Sequence, residues 1–93
     1  MIIHFGDDKG HFLYRVAAVC IREGRVLVVR WEDDASALHC LPGGRVEIGE
    51  SAEEALAREI REELDCNVTP GRLLWVMENF FNHKDSAHHE LGM

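Results

Sequence analysis

The sequence predicts an α+β domain. Runs rich in β-branched and aromatic residues occupy 12–21, 25–31 and 72–81, and segments bearing glycine or proline separate them. Between the second and third runs, Ser51 and Glu54 form a capping-box pair ahead of an apolar repeat, so one helix interrupts the strands.

The first strand is read over 12–21, FLYRVAAVCI, and the second over 25–31. Arg22-Glu23-Gly24 lies between them, three residues ending in glycine, and makes a hairpin. The polar stretch 32–37 reads as a loop, and Leu41-Pro42-Gly43-Gly44 as a turn where backbone can approach a ligand closely. A short strand is expected at 46–48, before Gly49. The capping pair starts the helix near Ala52 and the apolar repeat carries it to about Leu64, with Ala52, Leu56, Ile60 and Leu64 as its buried stripe. A turn at 67–71 then leads to the strand at 72–81, where Trp75, Met77 and Phe80 are core candidates; Trp31 and Phe81 also read as core. The segment 82–93 begins polar, so His83, His88 and His89 are expected in a solvated loop, and it stops at HHELGM as though a strand were starting.

Composition bounds the class. A 93-residue chain that is 46% apolar and 29% charged makes one globular domain with a thin core. Ten basic residues against seventeen acidic ones give a net charge of −7, which disfavours a broad nucleic-acid-binding surface and any basic membrane patch. The three cysteines, Cys20, Cys40 and Cys66, are odd in number and far apart, which points to neither a disulfide framework nor a zinc site and fits a reduced cytoplasmic setting. His4, Asp7, Asp8 and Lys9 interrupt the first apolar stretch, so no signal peptide is visible and no segment reaches the length of a membrane span.

The informative stretch is 44–66, GRVEIGESAEEALAREIREELDC. Glu59 and Glu63 stand four apart and Glu59 and Glu62 three apart, so their side chains converge on one helical face. Carboxylates so close repel one another unless a cation offsets them, and hard oxygen donors select Mg²⁺, Mn²⁺ or Ca²⁺. A run of charge on a helix is more often a solvated face, with Arg58 and Arg61 as neighbours; the wider spacing favours the metal reading. Gly44, Glu50, Arg58, Glu59, Glu62 and Glu63 with the intervening Ile60 reproduce the pattern Gly-x5-Glu-x7-Arg-Glu-aliphatic-x-Glu-Glu, which resembles the Nudix box of the Nudix hydrolases. At ordinary residue usage of roughly 6–7% per position, six fixed residues would arise by chance about once in a hundred thousand chains of this length. Asp65 and Cys66 stand where the family has glycine and an aliphatic residue. Asp tolerates the left-handed conformation less well than Gly, so a strained or shifted helix end is expected behind an intact carboxylate cluster, with Cys66 as a small buried residue.

The resemblance implies a Nudix-like α/β/α sandwich with a mixed β-sheet. It covers 1–93 as a single domain and leaves out the family's later strands and C-terminal helix, so one sheet face loses its cover and exposed edges favour a homodimer. It also implies a Mg²⁺- or Mn²⁺-dependent hydrolase that cleaves the pyrophosphate linkage of a small-molecule nucleoside diphosphate derivative by water attack at phosphorus. By the same resemblance, Glu59, Glu62, Glu63 and the Gly43 carbonyl hold the metal. Arg58 orients a box carboxylate through a bidentate bond, and Glu50 is a supporting residue rather than a ligand. Glu62 or Glu63 serves as base, with Glu90 as a further carboxylate from outside the box. A module that keeps the fold as a non-catalytic nucleotide-binding or regulatory domain is the alternative, and intact carboxylates argue against it.

Overall fold

A computed structural model describes residues 1–7, 9–30, 39–83 and 86–93. Its central strand is β2 (Gly10–Ala17), and everything that shapes the site is placed by what pairs with it. On one edge β2 pairs antiparallel with β1 (His4–Gly6) along its first half and with β7 (Gly43–Arg45) along its second. On the other edge β9 (Ser86–Gly92) runs parallel to it, from Gly10 opposite Ala87 to Arg15 opposite Gly92. An antiparallel hairpin joins β9 to the edge strand β8 (Met77–His83). The sheet is therefore mixed, as expected. The segment 82–93 differs from its expected loop, because its second half is an inner strand and His83, His88 and His89 all lie on paired strands. A parallel partner more than seventy residues away leaves no local trace in the sequence.

The first strand stops short of Ile21. After Ala17 the chain leaves the sheet, with Ala18 N–H donating to Pro42 O at 2.8 Å, and a separate two-stranded ribbon of β3 (Ile21–Arg22) and β4 (Arg25–Val26) follows. Its loop is two residues rather than three. Glu23 at φ 53° and Gly24 at φ 74° both take positive φ, as a tight hairpin of this twist requires. The rest of the predicted second strand is β5 (Val29–Arg30), paired with β6 (His39–Cys40). Trp31 and the predicted loop 32–37 lie outside the described residues.

Within the expected turn Leu41-Pro42-Gly43-Gly44, the two glycines instead open β7, and Leu41 and Pro42 lead into it. The expected strand at 46–48 is an extension of it: Val46 is fully buried, and Glu47 bridges Ile2. Among the described residues the one helix, α1 (Ala52–Leu64), keeps the bounds read from the sequence. Its Ala52, Ala55 and Leu56 pack on Tyr14, Val16 and Val46, which makes the small core. Ala55 and Ile60 are its buried residues, and Ala52, Leu56 and Leu64 of the expected stripe are half-buried beside them.

Two groups of residues expected inside are outside. Met77 and Phe80 are 50% and 69% exposed, and Phe81 is exposed as well, because β8 is an edge strand and no described element covers its faces; Trp75, 51% exposed, lies ahead of β8, which starts at Met77 rather than at residue 72. Cys66, with Cys20 and Cys40, is exposed and free, its thiol 3.3 Å from Leu64 O just beyond the helix end. Among the described residues no helix is long and apolar enough to cross a membrane.

Candidate active site

Local chemistry sets α1 in place at both ends. Ser51 Oγ accepts from Glu54 N–H at 3.1 Å, capping the first turn. At the other end Asp65 itself takes the left-handed conformation, φ 53° and ψ 38°, and its N–H donates to Arg61 O at 3.0 Å. The strain expected at this position is thus confined to one residue, and the helix runs undisturbed through the box glutamates.

The helix brings Glu59 and Glu63 to its sheet-facing flank and leaves Glu62 outside. Glu59 lies directly on Gly44. A Cβ added to Gly44 would collide with the Glu59 carboxyl carbon and come within 2.6 Å of its Oε1, so only glycine lets this carboxylate seat against β7. Glu63 is half-buried, and its Oε2 is shielded from solvent without a hydrogen-bond partner. Burial raises the Glu63 pKa above its ordinary value, and the charges of Glu59 and Glu62 raise it further, against the opposing pull of the Gly43 N–H and Arg15.

Arg58 ties these groups together. Its Nε and Nη2 donate to Glu50 Oε2 and Oε1 at 2.6 and 2.9 Å, a bidentate bond to a box carboxylate of the kind that the resemblance implies. Nη1 donates to Glu59 Oε1 at 3.0 Å and to Glu62 Oε2 at 3.2 Å, and Nη2 also donates to Arg45 O at 3.0 Å. The hydrogen bonds from Arg58 and from Glu47 N–H draw the Glu50 pKa down to about 2. The Arg58 pKa rises for the same reason, with Glu50 as the main cause.

The Arg45 contact also fixes the direction of the Gly43 carbonyl. Pro42 O accepts from Ala18 N–H just past β2 and Val46 N–H donates to Tyr14 O within it, so in the alternation of a strand Gly43 and Arg45 aim their carbonyls away from β2, and Arg45 O meets Arg58 on that side. Gly43 O therefore looks out from the same edge as Arg45 O, the edge on which the Gly43 N–H meets Glu63.

A family model described as NUDIX domain matches residues 11–91. The chain belongs to the NUDIX family. It is 41% identical over 71 residues to the "Putative ADP-ribose pyrophosphatase YjhB" of Bacillus subtilis (strain 168), covering 76% of this chain and 32% of that protein. It is 41% identical over 58 residues to the "CTP pyrophosphohydrolase" of Escherichia coli (strain K12), covering 60% of this chain and 43% of that one. The solution structure of the E. coli ORF135 protein superposes with a TM-score of 0.65 at 31% identity, over 87% of this chain and 58% of that chain. The chain thus spans less than half the length of these curated relatives.

Within this Nudix domain the predicted site residues divide. Gly43, Gly44, Glu50, Arg58, Glu59 and Glu63 gather where β7 meets α1. Glu62 joins only through Arg58, its side chain 59% exposed. Among the described residues no three His, Cys, Asp or Glu side chains stand already arranged to hold a metal ion. Glu90 is in register with Leu13 and so points to the sheet face opposite Tyr14 and Val16, away from α1. One participant went unread in the sequence: Glu47 Oε2 lies 3.4 Å from Arg58 Nε and joins the same charge cluster. Its position three residues before Glu50 was the available signal.

Proposed function

We propose that this Nudix domain hydrolyses the pyrophosphate linkage of a nucleoside diphosphate joined to a further moiety, with Mg²⁺ or Mn²⁺ held by Glu59, Glu63 and the Gly43 carbonyl. The observation that carries this reading is the shielded Glu63 Oε2, which has no donor and faces the like charge of Glu59. A polar oxygen left unsatisfied costs about 1–3 kcal/mol, more when charged, and repulsion adds to it. A hard dication relieves both, and an all-oxygen donor set suits Mg²⁺ or Mn²⁺ over softer ions.

When bound, such an ion neutralises a diphosphate and acidifies a coordinated water. The chain's own residues do the rest. Arg58, anchored on Glu50, holds Glu59 and Glu62 in fixed orientation, and Gly44 lets Glu59 close onto β7. Glu62 lies out in solvent, clear of the proposed metal shell, whereas Glu63 sits at the Gly43 edge within it, and one of these two box carboxylates takes the proton of the attacking water. Water attacks phosphorus, the phosphoanhydride bond breaks, and the leaving phosphate takes the electron pair.

The relatives named for ADP-ribose and CTP set the substrate panel. Products from that panel, with and without Mg²⁺ and in ¹⁸O-water, test the reading. Metal-dependent turnover that places ¹⁸O on a phosphate and is lost in Glu63→Gln is the expected result. Turnover retained in Glu63→Gln, or absent for every substrate, overturns it.

A further inference from the structure

The sheet face turned away from α1 carries a line of imidazoles at its β1–β2 end, a part of the fold the box does not use. His4 is in register with Leu13, and His11 with Gly6 on one side and His88 on the other, so all three histidines share that face. His4 Nε2 stands 3.2 Å from His11 Nδ1. Two further features fix the His11 ring. It stacks on His88 at 4.9 Å and 25°, and His88 in turn stacks on Phe81 at 5.0 Å and 16°. Opposite it, a Cβ on Gly6 would fall 2.6 Å from His11 Nδ1, so the missing side chain leaves that nitrogen uncovered. His4 is exposed and His11 half-buried, which leaves the pair open to solvent.

We propose that His4 Nε2 and His11 Nδ1 form a two-imidazole chelate for a borderline divalent transition ion of the Zn²⁺, Cu²⁺ or Ni²⁺ class. Metal–imidazole bonds are about 2.0–2.1 Å long, and two of them spanning 3.2 Å subtend about 100°, between square-planar and tetrahedral angles. Nitrogens that now share a hydrogen bond can share an ion once the donor imidazole moves its proton to its other nitrogen and the exposed His4 ring turns so that both lone pairs converge on the ion. Both rings stay neutral, and no net proton is released. No third side-chain ligand is gathered with the pair among the described residues, so water fills the remaining positions and the chelate is open. Nitrogen donors discriminate against Mg²⁺, which separates this site from the oxygen cluster of Glu59 and Glu63.

Titration of the whole chain with Cu²⁺ in millimolar Mg²⁺, followed by calorimetry and electron paramagnetic resonance, tests the site. One copper per chain with hyperfine coupling from two nitrogens is expected. His4→Gln and His11→Phe should each weaken binding at least about tenfold, the range that even an outer-shell partner of a metal site is worth. The phenylalanine keeps a ring stacked on His88, and Glu63→Gln should leave copper binding unchanged. Equal affinity and nitrogen count in both histidine variants overturns the proposal, as does the absence of stoichiometric binding. Loss of binding in Glu63→Gln alone assigns the ion to the carboxylates and overturns it too.

Discussion

Arg58 grips Glu50 through two parallel hydrogen bonds of 2.6 and 2.9 Å, and this one pair joins the loop before α1 to the middle of the helix. The folded state holds Glu50 ionised down to about pH 2, whereas the unfolded chain protonates it near the ordinary 4.5. The stability it contributes is complete above the unfolded value and drains away as pH falls from about 4.5 to about 2. Glu50→Gln should therefore lower Tm at pH 7 and flatten the acid limb in that window. Melting curves at half-unit pH steps check it. Arg58→Met leaves several carboxylates crowded together and should cost about 2 kcal/mol.

The two adjacent glycines fail differently. At Gly43 an added Cβ would run into the Val16 carbonyl and stand 2.8 Å from Ala17 Cα, backbone that cannot yield without spreading β2 from β7. Gly43→Ala should cost about 1–3 kcal/mol. At Gly44 the obstacle is the end of the Glu59 side chain, which can swing away. Gly44→Ala should keep stability within about 1 kcal/mol of the parent while losing Mg²⁺ affinity. Urea unfolding and metal titration on the same two proteins separate the outcomes.

Glu63 has the opposite pH sign to Glu50. Its raised pKa means that the folded state binds the proton more tightly, so stability falls as pH rises from the ordinary value through the folded one. Without metal, Glu63→Gln should stabilise the domain at pH 7 by about 1 kcal/mol, roughly 4–8 °C in Tm, and should remove the decline in stability as pH rises above the ordinary carboxylate value. Mg²⁺ should raise the parent's Tm and leave the variant's unchanged. Calorimetric scans with Mg²⁺ and with a chelator measure both effects.

The outer edge of β8 offers seven exposed residues, with Phe80 and Phe81 on opposite faces. An apolar edge strand pairs readily with a second copy, so the chain should associate into homodimers as concentration rises. Phe80→Lys should shift that association to higher concentration. Sedimentation velocity across a hundredfold dilution gives the answer.

What the sequence reveals is what is decided locally. Ser51 with Glu54 starts the helix and Asp65 ends it, all within a few residues, and the box glutamates inherit their geometry from that helix. The two glycines were misread as a turn because what requires them, the Val16 carbonyl and the Glu59 carboxylate, lies across the fold. The strand 12–21 was overextended for a related reason. Val19 and Cys20 suit a strand as well as Val16 does, but the β2–β7 ladder stops at Ala17 and Ile21 pairs instead with Val26 in a separate ribbon. Trp75, Met77 and Phe80 are apolar enough for a core, and only the absence of a described covering element exposes them. His11 meets His88 through the pairing of two strands far apart in sequence, which no spacing rule anticipates.

The parallel seating of β9 governs when this domain can fold. β2 forms its inner ladder only with residues 87–92, and β8 reaches the sheet only through β9. On the ribosome the N-terminal strands must therefore wait for the β8–β9 hairpin to clear the exit tunnel, with Phe12 and Leu13 bare in the meantime. Long-range parallel pairing of this kind slows folding and leaves a window for misassociation. Chaperone demand during synthesis should thus depend on how quickly translation passes from β2 to β9.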